Sequence, residues 1–408
     1  MKKKLILVCD DNPDDADRWS KEVRAVCPKD FETTPVYPDK FFQAISGLEE
    51  RRKLARSEKG HRVDCKGNLI DDASIIFIDY DLPRLNSRSY ITGENVAYLC
   101  RCYAGCGLVV GLNQFGSNYF DLTLRGHPES YADLNIGSEQ VANPGLWNET
   151  WCGEKTGFRP WYWPLLPAAL QAFERRVQDL SVSRALDKRI LKYLGFEDEV
   201  TATLPRSTRE FLGPNETPED TTFKAFVLKS GNGLRPKDVA PNTESMVRIA
   251  AARLWKWLER LVLAGQDILV DAPHLISRYP SLLKGDRKTT AAWNKTTSFA
   301  RGSGEVNIPR NKNVRFSQSD WVSRPAWFWK KLVNLDEIRE IADPFSKEQA
   351  DFVFCEDTSQ FMPREAAREF IADLPSSFVR RFVIDHASKE GKKVSKGVDY
   401  SPAVRFSF

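Results

Sequence analysis

The chain offers little of what enzymes most often use for chemistry. It has four histidines in 408 residues, His61, His127, His274 and His386. No zinc-ligand spacing surrounds them, and there is no phosphate-binding glycine loop and no nucleophile elbow. Long apolar runs are also missing: none approaches the roughly 18 residues that a membrane-spanning helix needs. Met1-Lys2-Lys3-Lys4 resembles the charged start of a signal peptide. The apolar run Leu5–Cys9 is too short for a signal core, however, and acids follow at once. These absences point to a cytoplasmic protein with no membrane partner. The eight cysteines are scattered, as reduced thiols would be. Their one cluster, Cys100, Cys102 and Cys106, matches no zinc knuckle. It reads as small apolar side chains near a helix end.

What is present is an ordinary globular composition, 41% apolar and 28% charged, in a chain long enough for two or three domains. Charge is uneven. Residues 1–150 hold 19 Lys and Arg against 23 Asp and Glu, a net of −4; the rest hold 41 against 33, a net of +8. No internal repeat is visible.

The first 145 residues alternate strand and helix. Lys4–Cys9 and Ser74–Ile78 read as buried strands, Phe31–Tyr37 as a weaker one and Gly107–Leu112 as a fourth. The last strand is either Phe120–Leu124 or Ala132–Ile136. Between them, Asn12-Pro13-Asp14-Asp15 opens a helix, since Asn caps, Pro suits the first position and acids suit the positive end. Asp39–Ala55 and Gly93–Arg101 are further helices. Residues 60–72 break the pattern and read as a hairpin insertion around Lys66-Gly67-Asn68. This order predicts an α/β domain, a doubly wound parallel five-stranded sheet of flavodoxin-like type.

A segment rich in Trp and Pro, residues 146–167, reads as an ordered joint. Residues 168–408 predict a mostly helical, basic α+β domain. Helices are expected at Leu165–Leu194, Glu244–Ala264, Asp336–Ile341 and Pro363–Leu374, and a strand at Phe378–Ile384. Ser207–Pro241 reads as irregular.

A parallel sheet puts functional groups at the carboxyl ends of its strands. Asp10 and Asp11 follow the first strand and Asp79 ends the third. Three converging carboxylates repel one another unless a cation sits among them, and Mg²⁺ suits such hard oxygen ligands. LILVCDDNPDD and IIFIDYDLPRLNS, with Gly93-Glu94-Asn95-Val96-Ala97 beyond, resemble the response-regulator receiver family over residues 3–145. The resemblance implies that Asp79 accepts a phosphoryl group from a histidine kinase or another signalling protein. It implies that Asp10 and Asp11 hold Mg²⁺, with the backbone carbonyl of Asp81 as a further ligand.

Two departures stand out. The family places Thr or Ser at the end of the fourth strand, where this chain has Asn113. It places Lys before Pro at the end of the fifth. If that strand is Phe120–Leu124, Arg125 stands there, and Arg is no copy of Lys. If it is Ala132–Ile136, no Lys is present.

Residues 278–331 carry twelve basic residues against three acids, with seven Trp and Phe interleaved. Arg301, Arg310, Lys312, Arg315, Trp321 and Arg324 are candidate contacts for DNA or RNA, by phosphate pairing and base stacking. The plainer alternative is a solvated basic face over an aromatic core, or a face that meets an acidic protein. Asp271 with His274 and Asp385 with His386 could do acid–base work but read as structural pairs. Asp351, Glu356 and Asp357 read as a solvated acidic loop. The leading expectation is a signalling protein whose receiver controls a nucleic-acid-binding output. The competing one is a degenerate receiver that serves as a docking module in a non-enzymatic subunit of a larger assembly, one that could process nucleic acid, with a homodimer or hetero-complex as the expected form. A third makes the second half an unfamiliar nuclease.

Overall fold

The computed structural model describes residues 3–57, 63–83, 91–113, 129–138, 141–148, 165–213, 217–283, 287–297, 306, 314–333, 351–370, 381–384, 393–395 and 398–399. The chain begins with β1 (Lys4–Cys9), α1 (Pro13–Val26), β2 (Phe31–Val36), α2 (Pro38–Ser57), β3 (Ala73–Asp79), α3 (Gly93–Tyr103), β4 (Leu108–Asn113) and β5 (Leu134–Gly137). The five strands are all parallel, in the order β2-β1-β3-β4-β5, and helices flank them. This is the flavodoxin-like α/β sheet that the alternation of strand and helix predicts. Its central strands are buried on both sides, which is why they read as unbroken apolar runs. The N-terminal cap of α1 is also as expected: the Asn12 side chain accepts the Asp14 N–H at 3.3 Å.

Of the two segments proposed for the fifth strand, Ala132–Ile136 is the one that overlaps β5. It pairs with β4 so that Asn113 stands opposite Gly137. The hairpin expected at 60–72 is not seen among the described residues there. Leu69–Asp72 forms a short 3-10 turn instead, because Asn68 caps it and Asp71 bonds back to the Asn68 N–H. Arg51 of α2 then ties the segment down, donating to both oxygens of Asp71 at 2.7 Å and to the Lys66 carbonyl at 2.8 Å.

Trp147, from the Trp- and Pro-rich joint, packs against Phe31 and Phe77 with ring centroids 5.8 and 6.3 Å away. Residues 149–164 of that joint lie outside the description.

The second half continues with α4 (Leu166–Val182), α5 (Ile190–Tyr193), α6 (Asp198–Thr201), α7 (Arg206–Leu212), α8 (Phe223–Lys229) and α9 (Thr243–Trp257). Then come β6 (Leu269–Asp271), α10 (Ala272–Arg278), α11 (Arg287–Lys295), β7 (Ala326–Phe328) and α12 (Trp329–Val333). A small sheet of β8 (Phe352–Cys355), β9 (Gln360–Pro363), β10 (Arg368–Phe370) and β11 (Arg381–Val383) follows, in the order β10-β11-β8-β9. The helix expected over Pro363–Leu374 is therefore corrected in its described part. Arg364–Ala366 is one 3-10 turn, and Arg368–Phe370 pairs with Arg381–Val383, so cross-strand bonding outweighs helical propensity. The helix expected over Asp336–Ile341 lies outside the described residues.

The hydrophobic core does not stop at the end of the sheet. One cluster runs from Ile6 and Phe77 through Leu170 and Phe173 of α4 to Leu254 of α9 and Phe328 of β7. Polar ties cross the same boundary. Asp238, its side chain wholly buried, accepts from Arg52 at 3.0 Å, from Arg56 and from the Tyr98 hydroxyl. The helical half is thus seated on the sheet.

Candidate functional site

In an open parallel sheet, ligands bind at the carboxyl ends of the strands, where the strand order turns back on itself. Here that point lies between β1 and β3. Their register sets Cys9 beside Ile78, so Asp10, one residue after β1, comes next to Asp79, the last residue of β3. Asp10, Asp11 and Asp79 are all buried, at 3%, 4% and 5% exposure. The Asp10 carboxyl accepts the Asn12 N–H at 2.8 Å. The backbone N–H groups of Asp81 and Tyr80 lie near the Asp79 carboxyl, and that of Tyr80 donates to the Leu112 carbonyl at 3.2 Å.

Burial dominates the electrostatics of the pair. It pushes Asp10 up to about 6, opposed by the Asn12 N–H and Arg18 and assisted by Asp15 and Asp11. It pushes Asp79 up to about 7, assisted by the negative charge of Asp10 and of Asp81 and opposed by the nearby N–H groups of Asp81 and Tyr80. Among the described residues, no three His, Cys, Asp or Glu gather closely enough to form a metal cage. The expected convergence of three carboxylates is therefore a narrower arrangement, with Asp10 next to Asp79. That pair still suits Mg²⁺, which takes one or two carboxylates from a protein and completes its shell with water and phosphate oxygens. Asp81 itself is exposed at the rim.

Two glycines let the chain close over the site. The Gly93 N–H donates to the Tyr80 carbonyl at 3.2 Å. A Cβ on Gly93 would press into Tyr80 and come within 2.6 Å of the Asp79 carbonyl oxygen. A Cβ on Gly111 of β4 would lie 2.8 Å from the Tyr80 ring and 2.7 Å from the Asn135 side chain. Tyr80 therefore lies flat across β4. Its hydroxyl reaches Glu94 at 3.0 Å and Ser130 at 2.9 Å. This group escaped the sequence reading, since its members are up to 50 residues apart and no spacing joins them.

The positions that differ from receivers are partly visible. Asn113 ends β4, and β5 ends at Gly137 followed by Ser138, so no Lys stands at the end of the fifth strand. Arg125 lies outside the described residues.

Of the proposed nucleic-acid contacts, Arg301, Arg310 and Lys312 lie outside the described residues. Arg315 is half-buried and bridges to Trp327. Trp321 and Arg324 are corrected. Trp321 is 1% exposed and packs against Phe223 and Arg176, so its ring has no free face for a base. Arg324 is also buried, with Asp271 at 2.8 Å and Glu259 at 3.4 Å. Trp293, Trp327, Phe316 and Phe328 are buried as well. Five of the seven interleaved aromatics thus form core; Trp329 is half-buried against Arg278 and Tyr279, and Phe299 lies outside the described residues.

The remaining candidates are structural. Asp271 caps α10, bonds His274 Nδ1 at 2.6 Å and meets Arg324. Burial pushes its carboxyl up, but its contacts with His274 and Arg324 outweigh that and hold it well below the usual range. Asp385 and His386 lie outside the described residues. Glu356 and Asp357 are buried rather than solvated, and Asp357 accepts the Ile384 N–H at 3.0 Å. Cys100, Cys102 and Cys106 are free, fully buried thiols, as the small-apolar reading expects.

No helix among the described residues is long and apolar enough to cross a membrane. Comparison with family models, with curated proteins and with solved structures found no match for this chain.

Proposed function

We propose that residues 3–148 act as a receiver-type module in a signalling protein, with Asp79 as phosphoryl acceptor and Asp10 as its cation-holding partner. The observation that supports this best is the buried Asp10–Asp79 pair at the turning point of a flavodoxin-like sheet. Ionised, Asp79 can attack phosphorus in a phosphohistidine or a small acyl phosphate. The new O–P bond forms as the bond to the leaving group breaks, and the leaving group takes the electron pair. The place of Asp79 as the last residue of β3, paired with β4 opposite Leu112, fixes where the attacking carboxylate stands. Mg²⁺ held by Asp10 and Asp79 would neutralise the charge of the phosphoryl group.

The test is incubation of the full chain with Mg²⁺ and acetyl phosphate, read by intact mass. A gain of one phosphoryl group, absent in Asp79→Asn, is the expected result. No gain, or an equal gain in the variant, refutes the reading.

A second reading is favoured by the absence of Lys at the end of β5 and by the continuous core. In it, the module is a docking platform whose partner ignores the state of Asp79. A co-purifying partner bound equally by Asp79→Asn supports this reading and counts against the first.

A further inference from the structure

We propose that the cleft between Tyr80, α3, the start of β5 and the turn after α8 binds a small organic anion, a carboxylate or a phosphate monoester. The cleft holds about 440 Å³ and is lined by Tyr80, Glu94, Ser130, Tyr131, Asn232 and Arg235, with exposed Glu129 at its rim. That volume falls within the usual range for small-molecule sites, about 300–1,000 Å³.

The acidic side of the cleft is already satisfied. Glu94 accepts from the Tyr80 hydroxyl at 3.0 Å, the Ser130 hydroxyl at 2.7 Å and the Tyr131 N–H at 2.7 Å. The basic side is not. Arg235 donates to the Asn95 side chain at 3.0 Å and makes no ion pair among the described residues. Its guanidinium lies 4.2 Å from the centre of the Tyr98 ring, which supports its position. A planar fork held this way suits two parallel hydrogen bonds to an oxyanion.

Behind the lining, two basic side chains are buried and donate to the backbone that shapes the cleft. Arg253, 1% exposed, donates to the Asn232 carbonyl at 2.7 Å and to the Ser130 carbonyl, and its Nη2 has no partner. Lys256 donates to the Ser130 and Ala132 carbonyls at 3.0 and 2.5 Å. A buried N–H left unpaired is costly, so such groups in native proteins usually have a missing partner. Arg235, a lining guanidinium with no ion pair among the described residues, faces a carboxylate whose hydrogen bonds are already made, and it calls for an incoming anion. Tyr80 belongs both to this cleft and to the surroundings of Asp79, but the proposed ligand contacts use neither Asp10 nor Asp79.

The experiment is thermal unfolding and calorimetric titration of the full chain with glucose 6-phosphate and with succinate, against sodium chloride at matched ionic strength. At least one of the two, at about 10 mM, is expected to raise Tm by roughly a few degrees. Arg235→Ala should weaken that ligand about tenfold or more while leaving the unliganded Tm near wild type. Arg235→Lys should restore only part of the binding, since it keeps the charge and loses the fork. A response to glucose 6-phosphate alone assigns a phosphate group, and to succinate alone a carboxylate. No response to either, or a response that survives Arg235→Ala, overturns the proposal. Asp79→Asn should bind the anion as wild type does, so failure of the phosphoryl-acceptor reading leaves this result intact.

Discussion

Asp79 ends its strand next to the Asp10 carboxyl, and the two share a buried pocket in which neither ionises at its ordinary pH. The folded carboxyl of Asp79 titrates at about 7, against 3.8 for an unperturbed one. The native state therefore holds protons that the unfolded chain has already released between those values. Stability falls as pH rises through that window, and the loss is complete above pH 7. The stake is on the order of a few kcal/mol. A divalent cation reverses the trend, because it binds the ionised pair and must displace protons to do so. In EDTA, the urea midpoint should be lower at pH 8 than at pH 6, and Mg²⁺ should raise it more at pH 8. Asp79→Asn should flatten the slope in EDTA and remove most of the Mg²⁺ response. An unchanged slope in the variant would show that the pocket does not govern this titration.

Asp238 offers a separate test of how the two halves are joined. Burial pushes its carboxyl up, but the hydrogen bonds from Arg52, Tyr98 and Arg56 prevail and hold it below the usual range. Its stabilising effect is present above the unfolded value, near pH 4, and is lost as pH falls through the folded one. Asp238→Ala should cost about 1–3 kcal/mol at pH 7, since it leaves the buried Tyr98 hydroxyl without its acceptor and removes the ties to Arg52 and Arg56. Because the core is continuous, wild type should unfold in a single transition by both tryptophan fluorescence and circular dichroism. Separate midpoints for the two probes in wild type would show that the halves are independent.

The sheet was readable in the sequence because β1 and β3 are short apolar runs and α1 starts behind a capping Asn12. The acid pair was readable because both members sit at strand ends. The cleft was not, since Arg235 and Arg253 meet Glu94 and Ser130 only after α8 and α9 fold back onto the sheet. Nor could the alternation of Trp with Arg and Lys in residues 278–331 tell a stacking platform from a core. The same residue types serve both, and what decides is burial, which for Trp321 and Arg324 depends on contacts with Phe223, Asp271 and Glu259.

The buried arginines make opposite predictions. Arg101, Arg176 and Arg248 approach the Phe173 ring at 4.9, 5.9 and 5.5 Å. Both Arg101 and Arg248 have two buried nitrogens without a partner, but Arg101 pairs through Nη2 with buried Asp133, whereas Arg248 makes no ion pair among the described residues. Arg101→Met should therefore cost about 3–5 kcal/mol, because it leaves Asp133 as an uncompensated charge. Arg248→Met should be neutral or stabilising by about 1 kcal/mol or more, since it removes a desolvated cation and keeps the packing against Phe173. Urea denaturation of both variants at neutral pH checks the pair. Equal losses would mean that Arg248 has an anionic partner in solution.

Gly93 links the stability of the fold to the chemistry of the site. It begins α3 where that helix crosses the exit of β3, and its N–H holds the Tyr80 carbonyl at 3.2 Å. A single added methyl group meets backbone, the Tyr80 Cα and the Asp79 carbonyl oxygen, neither of which can swing away like the end of a flexible side chain. Gly93→Ala must push α3 away from β3 or displace the Asp79–Tyr80 peptide, at a cost of about 1–3 kcal/mol. Displacing that peptide disturbs the Tyr80 N–H bond to the Leu112 carbonyl at 3.2 Å and moves Asp79 with it. The variant should therefore lose phosphoryl acceptance from acetyl phosphate about tenfold or more, even at temperatures where circular dichroism shows it folded. Asn95→Ala, in the first turn of the same helix, disturbs the contact with Arg235 instead and should leave phosphoryl acceptance near wild type. Equal phosphorylation rates in Gly93→Ala and wild type would mean that the close crossing of α3 over β3 does not position Asp79.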